Sequence, residues 1–175
     1  MYYNEEDFWR KYCGFNYLCG MAQSNKVEYK GETVYSLYEY NLKGKHRVKF
    51  RLIYSNLNED RGISLSRVNF KGRVSYDKND ESFMKFTGAY ACLEIFEPYW
   101  KDEKEVTINL KDGFVGISNG KFVTDKTGFR YLHCGLFWGA MKVEQISPTV
   151  TRFYCNDTEF EDDFDDLIFE MEVID

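Results

Sequence analysis

Any chemistry done by this chain has to draw on two histidines, His46 and His133, and five cysteines, Cys13, Cys19, Cys92, Cys134 and Cys155. Nucleophilic catalysis needs a base beside the nucleophile, and histidine is the usual base. His133 is adjacent to Cys134, but neighbouring residues of a strand point to opposite faces, so the two form no local dyad. A partner such as Cys92 or Cys155 has to come from another strand, and the spacing demands none. Zinc is no better served, because scattered cysteines and isolated histidines match no ligand spacing. Calcium would need oxygen ligands at alternate positions around a central glycine. Neither Asp77-Lys78-Asn79-Asp80-Glu81 nor the run from Asp157 to Asp166 has that form. Gly113, Gly116 and Gly120 are followed by no helix, so they make no phosphate-binding loop. The expectation is a non-enzymatic protein with no catalytic set, no metal and no cofactor.

Charge is the stronger signal. Between Leu42 and Lys78 stand ten Lys and Arg residues against three acids, whereas from Asp157 to Asp175 there are ten acids and no Lys or Arg. Segregation on this scale bears on partners and association rates rather than on fold. Side chains two apart on a strand lie ~7 Å apart, near the spacing of phosphates along a nucleic-acid strand. Arg47, Lys49 and Arg51 are therefore candidate anion-binding residues, extended by Lys71 and Arg73 if their strands pair, with Tyr35, Tyr38 and Tyr40 as stacking surfaces. A solvated strand face whose charges oppose edge-to-edge aggregation accounts for the same residues. A pI of 5.1 argues for the latter, since nucleic-acid-binding domains are usually basic overall.

The acidic run interleaves Phe160 and Phe164 with Asp157, Glu159, Glu161, Asp162, Asp163, Asp165 and Asp166. Acids mixed with aromatics suit a segment that docks on a basic, partly apolar protein surface. Glu159, Phe160, Glu161, Asp162, Asp163, Phe164, Asp165 and Asp166 are therefore the candidate partner-binding residues. The same run also suits a charged loop whose phenylalanines pack inward, or one lying over the cationic face of its own molecule.

These residues need elements to hold them. Asn4 followed by Glu5, Glu6 and Asp7 predicts a short N-terminal helix ending near Gly14. From about Val27 the period becomes two: Val48, Phe50, Leu52 and Tyr54 alternate with Arg47, Lys49, Arg51 and Ile53, and Val68, Phe70, Val74 and Tyr76 alternate with polar residues. Asp112-Gly113 and Asn119-Gly120 predict tight turns that divide Val106–Thr124 into three strands, with Lys30-Gly31 and Lys43-Gly44 as weaker signals. Arg130–Met141, apolar on both faces, predicts one central strand. Leu167, Phe169, Met171 and Val173 predict the last.

Nine to eleven strands without helical crossovers imply an all-β antiparallel meander, closed as a barrel or packed as a sandwich, in one domain over residues 1–175. A lipocalin-like barrel is similar in architecture, although no motif of that family is matched residue by residue. Such a barrel would enclose a small apolar ligand, with Trp9, Trp100 and Trp138 among its lining. With 15 Phe and 14 Tyr the chain is far from disordered composition. The acidic start, the absence of a ~20-residue apolar stretch and the odd cysteine count predict a cytoplasmic protein with reduced thiols and no membrane contact. Protein–protein binding through the acidic-aromatic segment to a basic protein partner is the leading functional expectation, ahead of a small apolar ligand and of single-stranded nucleic acid.

Overall fold

The computed structural model describes residues 3–4, 26–56, 61–86, 92–96, 100, 103–134, 139–156, 159–160 and 163–175. Among them the chain is all-β, with fourteen strands and no helix. The strands are β1 (Tyr3–Asn4), β2 (Lys26–Tyr29), β3 (Glu32–Tyr35), β4 (Tyr38–Tyr40), β5 (Gly44–Ser55), β6 (Arg61–Ser75), β7 (Phe83–Phe86), β8 (Cys92–Phe96), β9 (Lys104–Thr124), β10 (Arg130–Cys134), β11 (Ala140–Gln145), β12 (Val150–Asn156), β13 (Glu159–Phe160) and β14 (Leu167–Val173). They form two antiparallel sheets: the pair β1-β13, and a large sheet with the path β2-β3-β11-β12-β14-β5-β9-β6-β8-β7. This path is open at β2 and β7, so no closed barrel forms among the described residues. Asn4 lies in β1 rather than capping a helix, and the remainder of the predicted N-terminal helix lies outside the described residues.

Strand β9 organises the large sheet. One of its edges is taken in turn by β5, β4 and β10, and the other by β6. Its inward residues are Val106, Ile108 and Leu110 in the first half, then Val115 and Ile117 in the second. The parity changes where the β6 register shifts on either side of Lys71, so bulges re-aim the strand. This overturns the predicted turns. Asp112-Gly113 lies at the bulges, and Asn119-Gly120 is ordinary strand with Asn119 buried and its Nδ2 donating to the Asn156 carbonyl at 2.6 Å. Partners on both edges outweigh a local turn preference. Of the weaker signals, Lys30-Gly31 is a hairpin turn, whereas Lys43-Gly44 runs straight into a strand. Lys30 and Gly31 carry φ of 51° and 83° in the β2–β3 hairpin, and Gly44 opens β5 at 106°.

Arg130–Met141 is likewise two strands rather than one: β10 pairs with β9, and β11 pairs with β3 and β12. Gly139 ends the intervening stretch against β9, where a Cβ would lie 2.3 Å from the Asn119 carbonyl oxygen. The sheet curls so that aromatic rings from its two halves meet. Phe153 of β12 stacks on Phe169 of β14 at 4.6 Å, Tyr38 of β4 meets Phe153 edge-on at 5.6 Å, and Trp100 lies 5.8 Å from Phe169. The Trp100 indole donates to the Phe50 carbonyl, which satisfies its only polar atom. The alternation of β5 ends at Ile53, which is exposed with Tyr54. Leu52 faces Phe169 while Tyr54 faces Ile168, leaving Ile53 as the extra residue of a bulge.

Candidate functional site

The basic strand and the acidic chain end are neighbours. Strand β5 pairs with β14 so that Arg51 faces Glu170 and Lys49 faces Glu172. Opposite charges directly across a ladder attract, and here they form a network. Arg51 reaches Glu103 at 2.6 Å, Glu170 at 3.1 Å and Glu172 at 3.5 Å. Lys49 pairs with Glu103 at 2.9 Å, and Arg47 with Asp175 at 2.9 Å and Glu105 at 3.4 Å. Hydrogen bonds from Arg51 and Lys49 hold the Glu103 carboxyl below the usual carboxylate range, and Arg47 does the same for Asp175. Glu170 also accepts from Arg152 at 2.6 Å, so one nearly buried carboxylate serves two guanidinium groups.

Lys71 and Arg73 do not join this stripe by strand pairing, because β9 lies between β5 and β6. Arg73 shares a row with Asn109 and Lys45 across β9, and Lys71 faces Asp112. Tyr35, Tyr38 and Tyr40 pack against the core, and burial pushes the Tyr38 phenol up. They offer no stacking platform beside the cations.

The acidic segment is anchored at two points. Phe164 is buried with Val34 and Ala140 despite a φ of 55°, and the Lys142 ammonium lies 4.5 Å from its ring centroid. Asp166 accepts from the buried Arg61 at 3.1 Å, and Arg61 also donates to the Asn56 carbonyl. Glu159 and Phe160 pair with Asn4 and Tyr3 through the backbone. Asp163 and Asp165 face solvent, while Glu161 and Asp162 lie outside the described residues.

Between this segment and the outer side of β11 and β12 runs a cleft of about 490 Å³. Glu32, Glu144 and Asp163 line it, with Lys142, Tyr154 and Phe164. Lys142 pairs with Glu32, and the Tyr154 hydroxyl donates to Glu144 at 2.7 Å. Three carboxylates thus surround one ammonium, a balance that attracts a cation. Glu32, Glu144 and Tyr154 carry no signal of their own in the sequence. The pairing of β3, β11 and β12 is what gathers them.

The remaining chemical candidates are dispersed or already bonded. Each ring nitrogen of His46 lies near a carbonyl, Nδ1 at 2.8 Å from that of Asp175 and Nε2 at 3.1 Å from that of Lys43. In β10, His133 and Cys134 face Lys121 and Gly120 in register, and Cys155 is a buried free thiol. Asp77 accepts from the Asn79 amide at 2.9 Å, and Asp80 from the Ser82 amide and hydroxyl and from Lys104 at 2.8 Å. No group of three His, Cys, Asp or Glu residues suited to a metal occurs among the described residues. Among these residues, too, no helix is long and apolar enough to cross a membrane. No family model, no curated protein and no solved structure matches this chain.

Proposed function

We propose that this is a non-enzymatic binding protein that engages a basic partner protein at the acidic cleft beside β11 and β12. The observation that carries this is the convergence of Glu32, Glu144 and Asp163, from three separate stretches, around a 490 Å³ cleft closed on one side by an anchored Phe164. Asp165 is exposed next to Phe164 and adds to this negative charge, and Glu159, Phe160, Glu161 and Asp162 precede it in the sequence as candidates for the same contact. A Lys- or Arg-bearing segment would find carboxylates on both walls, and long-range attraction would speed its arrival. The buried free thiol of Cys155 fits a reducing, cytoplasmic setting.

Two rival functions are weaker on the geometry. Rings of Phe50, Tyr38, Trp100, Phe153 and Phe169 pack on one another where a carrier of apolar ligands would need space between them. A nucleic-acid track along Arg47, Lys49 and Arg51 would have to displace an ion pair at every step.

The test is affinity capture from a host lysate at 0.05 and 0.15 M salt, comparing wild type with a variant carrying Glu32→Gln, Glu144→Gln, Asp163→Asn and Asp165→Asn. Basic proteins captured by wild type should be lost from the variant, and association of the purified partner should slow steeply as salt rises. Equal capture by a variant that melts like wild type would refute the cleft as the contact surface.

A further inference from the structure

We propose that a small phosphate-bearing anion binds in a groove between Arg73 and Lys78, at an edge of β6 that has no strand partner among the described residues. This site is separate from the acidic cleft and opposite to it in charge. The groove is about 310 Å³ and is lined by Arg73, Val74, Ser75, Tyr76 and Lys78.

Arg47, Lys49 and Arg51 each hold a carboxylate. Arg73 and Lys78 are exposed and have no ion pair among the described residues. The acids closest in sequence are turned into their own loop: Asp77 accepts from the Asn79 amide, and Asp80 from Ser82 and Lys104. Two cations are therefore left facing one concavity.

Backbone and hydroxyl groups complete the site. Over residues 71–75, β6 pairs with β9 on one edge, and β8 joins only the earlier part, Gly62–Ser66. On an unpaired antiparallel edge, alternate N–H groups point away from the neighbour and are available as donors. Ser75 and Tyr76 line the same groove, and Ser75, exposed like Arg73 two residues before it, brings a hydroxyl to the same face. An arginine fork, an ammonium, outward N–H groups and the Ser75 hydroxyl together form a donor set suited to phosphate oxygens, whereas a monovalent carboxylate would leave much of it unused. The Tyr76 ring packs against the core and Phe83, and two cations give a single anion subsite rather than a track, so a monoester is favoured over a nucleic-acid strand.

The experiment is an NMR titration of the intact protein at fixed ionic strength with inorganic phosphate, phosphoserine and a short single-stranded oligonucleotide in separate arms. Inorganic phosphate and phosphoserine should shift the amides of residues 73–78 saturably. The stronger of the two identifies the source as free or esterified phosphate. Arg73→Gln and Lys78→Gln should each weaken binding about tenfold, as expected for loss of one charge-assisted contact, while Lys49→Gln should leave it unchanged. The inference is overturned by the absence of saturation or by equal weakening in Lys49→Gln. Affinity that rises with oligonucleotide length would overturn it in favour of a nucleic-acid track. Should the two groove variants self-associate more while phosphate has no effect, these cations protect an edge strand instead.

Discussion

Glu170 shows how a carboxylate can be nearly buried and still serve as the hub of an exposed charge network. It accepts from Arg152 Nε at 3.0 Å and Nη2 at 2.6 Å, and from Arg51 Nη1 at 3.1 Å. Removing its charge leaves two guanidinium groups without their shared counter-charge, but Arg51 and Arg152 are 41% and 32% exposed and water takes up part of the loss. Glu170→Gln should therefore cost about 1–2 kcal/mol in urea unfolding, whereas Lys45→Gln should stay within about 0.5 kcal/mol. Asp80 allows a test against pH. Burial alone would raise its pKa, yet hydrogen bonds from Lys104 and Ser82 outweigh that and hold it below the ordinary carboxylate value. A depressed folded-state pKa gives stability that is complete above the unfolded value and is lost as pH falls through the folded one. The stability gap between wild type and Asp80→Asn should accordingly be constant near neutrality and narrow below about pH 4. Denaturant midpoints at a series of pH values would measure it, and a gap that persists at the acid end would assign the effect to packing instead.

Among the elements, the contrast between two kinds of glycine is the most testable. Gly139 lies where a Cβ would come within 2.3 Å of the Asn119 carbonyl and 2.6 Å of its Oδ1, and a strand paired on both edges cannot yield. Gly31 faces open space but holds a φ of 83°. Gly139→Ala should cost about 2 kcal/mol or more through overpacking, and Gly31→Ala about 1 kcal/mol through backbone strain. Thermal melts of the two variants would check the order. These sites also mark where the sequence was legible. The alternation of Val48 and Phe50 with Arg47, Lys49 and Arg51, and of Leu167, Phe169, Met171 and Val173 with Glu170 and Glu172, identifies β5 and β14 because one face of each is core, although Glu170 on the other face is itself nearly buried. The Lys30-Gly31 hairpin follows from its local geometry. Asn119-Gly120 misleads because its turn preference is local, whereas the ladders with β6 and β10 and the bond to Asn156 are made by residues distant in sequence. The division of Arg130–Met141 into two strands is hidden for the same reason, since their partners, β9 on one side and β3 and β12 on the other, are invisible to periodicity.

Over the whole molecule, the separation of charge along the chain becomes contact within the fold. The basic stretch supplies β5 and Arg61, and the acidic end supplies β14 and Asp166. Segregation was legible in composition, but which charges would cancel depended on strand order. The acidic cleft was only half legible: Asp163 and Phe164 stand out in the run, while Glu32 and Glu144 have no local signature. The segment therefore combines anchoring with exposure, and substitutions should separate the two. Phe164→Ala should lose about 3 kcal/mol, as for a fully buried ring, and Asp166→Asn about 1–2 kcal/mol, because the buried Arg61 would lose a charge-assisted bond. Asp163→Asn and Asp165→Asn should leave unfolding unchanged and slow only the association with a basic partner, since exposed border charges act through encounter rate. Chemical denaturation and association kinetics on the same four variants give the comparison. If Phe164→Ala unfolds like wild type but releases the partner faster, the ring is a contact that leaves its pocket on binding, and the segment is a moving arm rather than the fixed wall of a cleft.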